Sequence, residues 1–371
     1  MPQSNSLIRL CSFLFAFLIA ASALAAEPIR VAVVGLHHGH AYGIFNALKD
    51  NTDVKLVAVV ESDKELSQKY ATRYQLADNL FYTDLETALN RTKPAAVLVY
   101  TSIHDHRKVI EAAAAHGIPS MVEKPLATTL QDAIAIRKAA REHHVNVLVN
   151  YETTWYASNT DVINQVKAGK LGDVRKVVVH DGHEGPKEIG VGPEFLSWLT
   201  DPVLNGAGAM FDFGCYGADL VTLMMNGETP VSVTAVAQTD KPDVYPKVDD
   251  DATIIIRYPK AQAVLMPSWN WPFSRKDMEV YGSTGYAIAT DSKNLRLRYK
   301  GEKEEHTAVA PALPSNESSS LNYLVAVMRG EIKPAGDLNS LDTNMIVVQI
   351  LDAARESAKT GKTVMLKPLA E

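Results

Sequence analysis

The sequence predicts an α/β chain in two parts: a doubly wound parallel sheet over residues 27–150, then an α+β part over 151–371 built on an open, mostly antiparallel sheet. Three observations carry this prediction. Apolar runs in the first part are continuous rather than alternating, as in strands buried on both faces, and helical stretches separate them. Strands in the second part follow one another with few long helices between, which suits antiparallel neighbours. At 371 residues and 46% apolar content, the chain can bury two cores.

The first run, Ile29 to Val34, is apolar, rich in valine, and stops at Gly35. Ala41 to Lys49 reads as a helix, Val54 to Val60 as a strand and Lys64 to Tyr74 as a helix. Thr83, with Glu86 three residues on, has the form of a capping box for a short helix. Ala95 to Tyr100 is again a strand, and Arg107 to His116 is a helix closed by Gly117. Ile118 to Val122 runs directly into Glu123-Lys124-Pro125, Thr129 to His143 is a longer amphipathic helix, and Val145 to Val149 completes the set. Such alternation implies right-handed crossovers and parallel pairing. Beyond it, a helix near Asp161 to Ala168 ends at Gly169. Strands are expected at Val174 to His180, Val231 to Gln238, Ala252 to Tyr258, Ala261 to Ser268, Met278 to Tyr281 and Leu295 to Tyr299. Helices near Ser318 to Met328 and Leu341 to Lys359 finish the chain. Asp249-Asp250-Asp251 reads as the solvated start of a strand.

Residues 1–26 stand apart. Arg9 precedes an apolar run from Leu10 to Ala21, and the following Ser22-Ala23-Leu24-Ala25-Ala26 carries an Ala-x-Ala cleavage pattern. The run is shorter than the roughly 20 residues of a spanning helix, so a Sec-type signal peptide and a periplasmic mature protein, free of the membrane, are expected. Cleavage would leave Cys215 as the single cysteine and no internal disulfide. With a formal net charge of −6, nothing in the composition suggests a nucleic-acid partner.

Chemistry concentrates where strands end. Glu123 and Lys124 fall at the C-terminal end of a buried strand, the edge at which parallel sheets open their ligand crevice. After the first strand, a Gly-x-Gly-x-x-Gly turn would let backbone approach a pyrophosphate. Here Gly35 is kept, His37 and His40 hold the second and third glycine positions, and Gly39 and Gly43 come at a different spacing. Glu61, ending the second strand, fits the acid that accepts from ribose hydroxyls and favours NAD over NADP by repelling a 2′-phosphate. His37, His38, His40, His104 and His106 all follow strands and would gather at one edge. No pair of them has a recognised ligand spacing with a carboxylate partner, so they read as cofactor or substrate contacts or as plain loop histidines, and no metal site is expected.

These residues resemble the glucose-fructose oxidoreductase / inositol dehydrogenase / rhizopine-catabolism (Gfo/Idh/MocA) family over nearly the whole mature chain. Met121 to Pro125 with Leu126-Ala127 is similar to the family's Glu-Lys-Pro motif in its usual setting. Thr101 to His106 looks like its Thr-Pro-x-x-x-His turn, with Ser102 for the proline. Asp212 to Asp219 is similar to its Asp-x-Gly-x-His-x-x-Asp segment, with Tyr216 in the histidine slot, as in the glucose-fructose and dihydrodiol branches. Thr154 falls where an arginine is often found. The resemblance implies an N-terminal Rossmann domain, a C-terminal substrate-binding and oligomerisation domain, and a homo-oligomer. It places Gly35, His37, His38, Gly39, His40, Glu61, Thr101, His104, His106, Glu123 and Lys124 at a nicotinamide dinucleotide, NAD or NADP with NAD favoured.

A helix beginning near Asp212 would put Asp212, Tyr216 and Asp219 on one face that can meet Lys124. Asp212 could equally cap that helix. Lys124, Tyr216 and Asp212 are the candidate catalytic residues, and Tyr151, His183 and Trp198, with His180, Lys187 and Trp271, are candidate lining for a sugar. The reading is hydride transfer between a nicotinamide and a sugar, polyol or related carbohydrate. Export to a compartment poor in free dinucleotide leaves three forms of it open: a tightly held cofactor recycled within one turnover, as in NAD-dependent glycosidases, a ping-pong exchange between two sugars, or a cofactor-free carbohydrate-binding or metal-assisted protein.

Overall fold

A computed structural model describes residues 27–369, so the expected signal peptide lies outside the described residues. The first sheet has six parallel strands, β1 (Ile29–Val34), β2 (Val54–Val60), β3 (Phe81–Tyr82), β4 (Ala96–Val99), β5 (Ser120–Glu123) and β6 (Val147–Asn150), in the order β3-β2-β1-β4-β5-β6. Helices α1 (Ala41–Lys49), α2 (Lys64–Tyr74), α3 (Leu85–Thr92), α4 (His106–Ala115) and α5 (Leu130–Glu142) connect them. Strand order reverses between β1 and β4, and this is the Rossmann arrangement whose ligand crevice opens at the C-terminal ends of those two strands. Val31 to Val34 are buried, as a strand covered on both faces requires. β3 escapes the sequence pattern because it is two residues long. The cap of α3 is Asp84, accepting from the Thr87 amide at 2.8 Å, one residue after the expected Thr83. Glu86 pairs with His116 instead of closing a capping box.

The second part begins with α6 (Ala157–Lys167) and continues through β7 (Val174–Gly182), α7 (Pro193–Leu199), α8 (Ala209–Asp212) and α9 (Gly214–Met224). Strands β8 (Ser232–Gln238), β9 (Asp251–Arg257), β10 (Gln262–Ser268), β11 (Arg275–Gly282), β12 (Gly285–Ala289), β13 (Asn294–Tyr299) and β14 (His306–Val309) follow. α10 (Ser320–Met328), α11 (Leu341–Thr360) and β15 (Val364–Met365) end the described chain. The sheet order is β14-β13-β12-β11-β7-β10-β9-β8-β15, parallel only between β7 and β10. α9 is buried along its whole length and packs on α11, β7 and β10. No described helix is long and apolar enough to cross a membrane.

Two features depart from the sequence reading. α10 packs Leu321, Leu324 and Val327 into the core that holds Val31, Leu98 and Met121 of the first sheet. α10 thus returns from the second part to cover the N-terminal sheet. The acids at 249–251 are not a solvated strand start either. Asp249 accepts from the amides of Gly208 and Met210, Asp250 is fully buried on the amides of Asp240 and Lys241, and Asp251 is half-buried. Asp249 thus fixes the turn that leads into α8, and Asp250 fixes the loop at residues 240–241.

Asp219 in α9 is fully buried and neither carboxylate oxygen has a hydrogen-bond partner. Burial, with Asp337 nearby, pushes its carboxyl well above the usual carboxylate range. Such a group favours the folded state only below the unfolded value of 3.8, and that contribution is lost as pH rises towards the folded value. Asp219→Asn is therefore expected to raise stability at pH 7 by about 1–2 kcal/mol. In paired thermal melts of the two proteins, the gain should shrink towards zero as pH falls below 4.

Candidate active site

The end of β5 delivers Lys124 into the seam between the two parts. Its Nζ donates to Asp212 Oδ1 at 2.5 Å and to the Asp212 carbonyl at 2.8 Å. The Lys124–Pro125 peptide is cis. The expected helix start at Asp212 is displaced: Asp212 closes α8, Phe213 makes the joint, and α9 begins at Gly214. Asp212 is not a cap, because Lys124 takes one carboxylate oxygen and Trp269 Nε1 donates to the other at 3.0 Å. Tyr216 lies in the first turn of α9, its ring centroid 4.9 Å from Lys124 Nζ and 4.9 Å from Lys276 Nζ. Asp212 and Tyr216 thus meet Lys124 as the shared face predicts, whereas Asp219 makes no bond to any of them.

Burial pulls the Lys124 ammonium down, but the Asp212 carboxylate outweighs it and holds the group above its usual range. Asp212 is the mirror case: burial pushes it up, and Lys124 holds it below the usual carboxylate range. The two form an ionised pair. Tyr216 is pushed well above the usual phenol range by burial, so it remains a neutral hydroxyl.

Lys124, Asp212, Phe213, Tyr216, His183 and Lys276 line a cavity of about 430 Å³, with Gly39, His40 and Phe195 on the side of the first part. His183 Nδ1 accepts from the Gly185 amide at 2.9 Å, which leaves Nε2 to carry the proton. Its pKa is lowered, mostly by burial. Across α7 lies a groove of about 610 Å³ lined by Gly35, His37, Glu61, Thr101, Ser102 and Trp198. Phe195 and Leu199 of α7 face the cavity while Ser197 and Trp198 face the groove.

Not every expected residue reaches these spaces. His38 is 1% exposed, enclosed by the rings of His40, Tyr100, Phe195 and Trp198. His104 is exposed and lines neither space, because Ile103–Asp105 forms a short 3-10 turn that directs Ser102 and Asp105 to the groove instead. His106 is fully buried, its Nδ1 on the Leu126 carbonyl at 3.2 Å and its pKa lowered to about 4 by burial, so it clamps the Glu-Lys-Pro loop from behind. Tyr151 is no substrate contact. Its hydroxyl donates to Asn344 and its ring packs edge-on against Tyr216, which places it in the core. Trp198 lines the groove rather than the cavity, with Nε1 on the His37 carbonyl at 3.3 Å. Sequence reasoning missed Lys276, which pairs with Glu152 beside the cavity, and Phe195, since α7 had no periodic signal over its seven residues.

The groove fits a dinucleotide. Gly35 has φ +82°, and a Cβ there would meet Thr101 N at 2.7 Å, so only glycine lets the ends of β1 and β4 close together at the floor of the groove. Among the described residues, the amides of His37 and Gly39 donate to no protein acceptor, while Leu36 N–H donates to Glu61 Oε2 at 2.9 Å. Glu61 is 5% exposed. Burial pushes its carboxyl up, but His37 and the amides of Asp63 and Leu36 outweigh this and keep it below the usual range.

A Rossmann sheet with such a groove, joined to a second sheet that closes a cavity over a buried lysine, defines a dinucleotide-binding oxidoreductase architecture. The sequence belongs to the family with this design. Residues 29–151 match the oxidoreductase family with NAD-binding Rossmann fold and residues 161–288 match the GFO/IDH/MocA C-terminal domain, so the chain belongs to the Gfo/Idh/MocA oxidoreductase family. It is 26% identical over 215 residues to trans-1,2-dihydrobenzene-1,2-diol dehydrogenase of Xenopus tropicalis, a match covering 57% of this chain and 60% of that protein. It is 21% identical to the NADP(+)-dependent scyllo-inositol 2-dehydrogenase of Bacillus subtilis, over 92% of this chain and 97% of that one. Among solved structures, aldose-aldose oxidoreductase from Caulobacter crescentus with glycerol superposes with a TM-score of 0.77 at 25% identity, covering 91% of this chain and 100% of that one. An inositol dehydrogenase homologue from Azotobacter vinelandii with NAD+ gives 0.80 at 21% identity, over 92% and 98%.

Proposed function

We propose that the protein transfers hydride between a tightly held NAD and a sugar or polyol, with the Lys124–Asp212 pair as its proton-handling unit. The observation that carries this reading is the buried, ionised lysine facing a cavity beside a dinucleotide-shaped groove. Gly35, His37, Glu61, Thr101 and Trp198 would hold the cofactor, whose nicotinamide supplies the hydride acceptor or donor. The charged, buried Glu61 supports NAD over NADP, since a 2′-phosphate would meet like charge.

Lys124 is suited to donate a proton to the alkoxide that forms when a ketone is reduced. In the reverse direction it accepts the carbinol proton as it passes its own to Asp212. His183 Nε2–H, the Tyr216 hydroxyl and the Lys276 ammonium are further donors for orienting the carbohydrate. The leader-like sequence of residues 1–26 supports export to the periplasm, where a retained cofactor suits the scarcity of free dinucleotide. Exposed Val236, Ile255 and Met365 on strands of the second sheet support self-association through that sheet. Heat-denaturing the purified protein and assaying the supernatant enzymatically should release NAD(H) near one equivalent per chain. Preparations free of dinucleotide that also fail to bind added NAD would sink the reading.

A further inference from the structure

Besides the Lys124–Asp212 pair, this edge of the sheet holds a charge without a committed counter-charge. Glu123 is 2% exposed, accepting from Asn150 Nδ2 at 2.8 Å and meeting His40 Nδ1 at 2.8 Å. The neighbouring ammonium of Lys124 is already bound to Asp212. A buried carboxylate needs a compensating cation or hydrogen bonds, and Glu123 has the Asn150 amide and the His40 ring. His38 adds a second imidazole. Its ring centroid is 4.6 Å from that of His40, and its Nδ1 accepts only the His40 amide at 3.1 Å. One donor atom from each of His38, His40 and Glu123 lies within 4.8 Å of the other two.

We propose that His38, His40 and Glu123 form a divalent-metal site, with zinc the ion its donors suit best. Two imidazoles and one carboxylate are a ligand set of catalytic zinc, which keeps a fourth position for water or substrate. Metal bonds of about 2.0–2.2 Å require donor atoms roughly 3.4 Å apart. The site closes if the His40 side chain, 43% exposed, turns towards its two buried partners. The metal then replaces the hydrogen bond between His40 and Glu123, and the His38 lone pair passes from the His40 amide to the ion. Because His40 lines the cavity, the open position faces the same space as Lys124 and His183. An ion there would polarise a hydroxyl or carbonyl oxygen of the bound carbohydrate. The histidine that displaces the third glycine of the turn thereby acquires a use that a pyrophosphate contact does not give it. A second cluster, His180, Asp277 and Glu279, has the same donor count, but Arg275 already neutralises Asp277.

The full chain, stripped with EDTA, is titrated with zinc chloride by calorimetry. One equivalent should bind with a Kd of about 1 μM or tighter. His40→Ala and Glu123→Gln should each weaken binding by about 100-fold or more, with His180→Ala unchanged. Metal-free melting curves report whether each variant folds, and zinc-edge absorption of the wild type, expected to show two imidazole ligands, carries the assignment if one does not. A wild-type Kd weaker than about 100 μM, affinity indifferent to both substitutions, or binding lost in His180→Ala would each overturn the proposal. Calorimetry of zinc is independent of dinucleotide, so its failure leaves the hydride reading intact, and the reverse.

Discussion

Lys124→Met should lower turnover of the wild type's sugar or polyol by about 10³-fold, the scale of a lost general acid–base group, with dinucleotide affinity changed only a few-fold. Lys124 Nζ is the one ammonium in the cavity held against a buried carboxylate, and methionine keeps most of its bulk without the proton. The substitution also strands Asp212 as a buried, unpaired charge, which costs about 3–5 kcal/mol of stability, so a loss of activity alone could be a loss of fold. The double variant Lys124→Met, Asp212→Asn separates the two effects. It removes both charges, and such neutral replacements of a buried pair are often close to neutral in stability. Melting temperature should therefore recover while turnover stays near the single variant's. A Lys124→Met protein that turns over at the wild-type rate removes the lysine from the chemistry.

Much of the fold was legible because parallel strands buried on both faces leave a continuous apolar signature, and β1, β2, α1 and α2 end where the periodicity ends. Elements of two to seven residues, β3, β15, α7 and α8, carry too few periods to register, and they are held by tertiary partners. α8 illustrates the difference. Its position is set by Asp249, whose carboxylate takes two of its leading amides from 39 and 41 residues away, a link that local sequence cannot announce. Within the site, Lys124, Asp212 and Tyr216 were readable from motif spacing because one strand end and one short segment deliver them. Lys276 and Asn150 were not, since each comes to the site from a separate strand and gains its role only through partners: Glu152 for the lysine, Glu123 for the amide. Tyr151 failed in the opposite sense. An aromatic beside a motif suggests a ligand face, but the fold spends this one on Asn344 and Tyr216.

The glycine turn gives the second large effect, and it can be measured against an internal control. At Gly35, φ is +82° and a Cβ would fall 2.7 Å from Thr101 N and 2.9 Å from Thr101 Cα, backbone atoms that cannot swing aside. Gly35→Ala must therefore strain the left-handed turn or push the ends of β1 and β4 apart, where the groove opens. Stability should fall by about 2–4 kcal/mol and NAD affinity, followed by quenching of tryptophan fluorescence near Trp198, by at least about tenfold. Gly43 is the contrasting case. It lies inside α1, where a Cβ would meet nothing within 4 Å and the backbone is helical. Gly43→Ala should therefore add about 0.5–1 kcal/mol and leave NAD affinity unchanged. If both substitutions weakened NAD equally, the turn would be sensitive to any change in α1, and Gly35 would lose its special place. If neither did, dinucleotide would have to approach elsewhere than the Gly35 to His40 turn, and the histidines that replace its second and third glycines would be free of the pyrophosphate altogether.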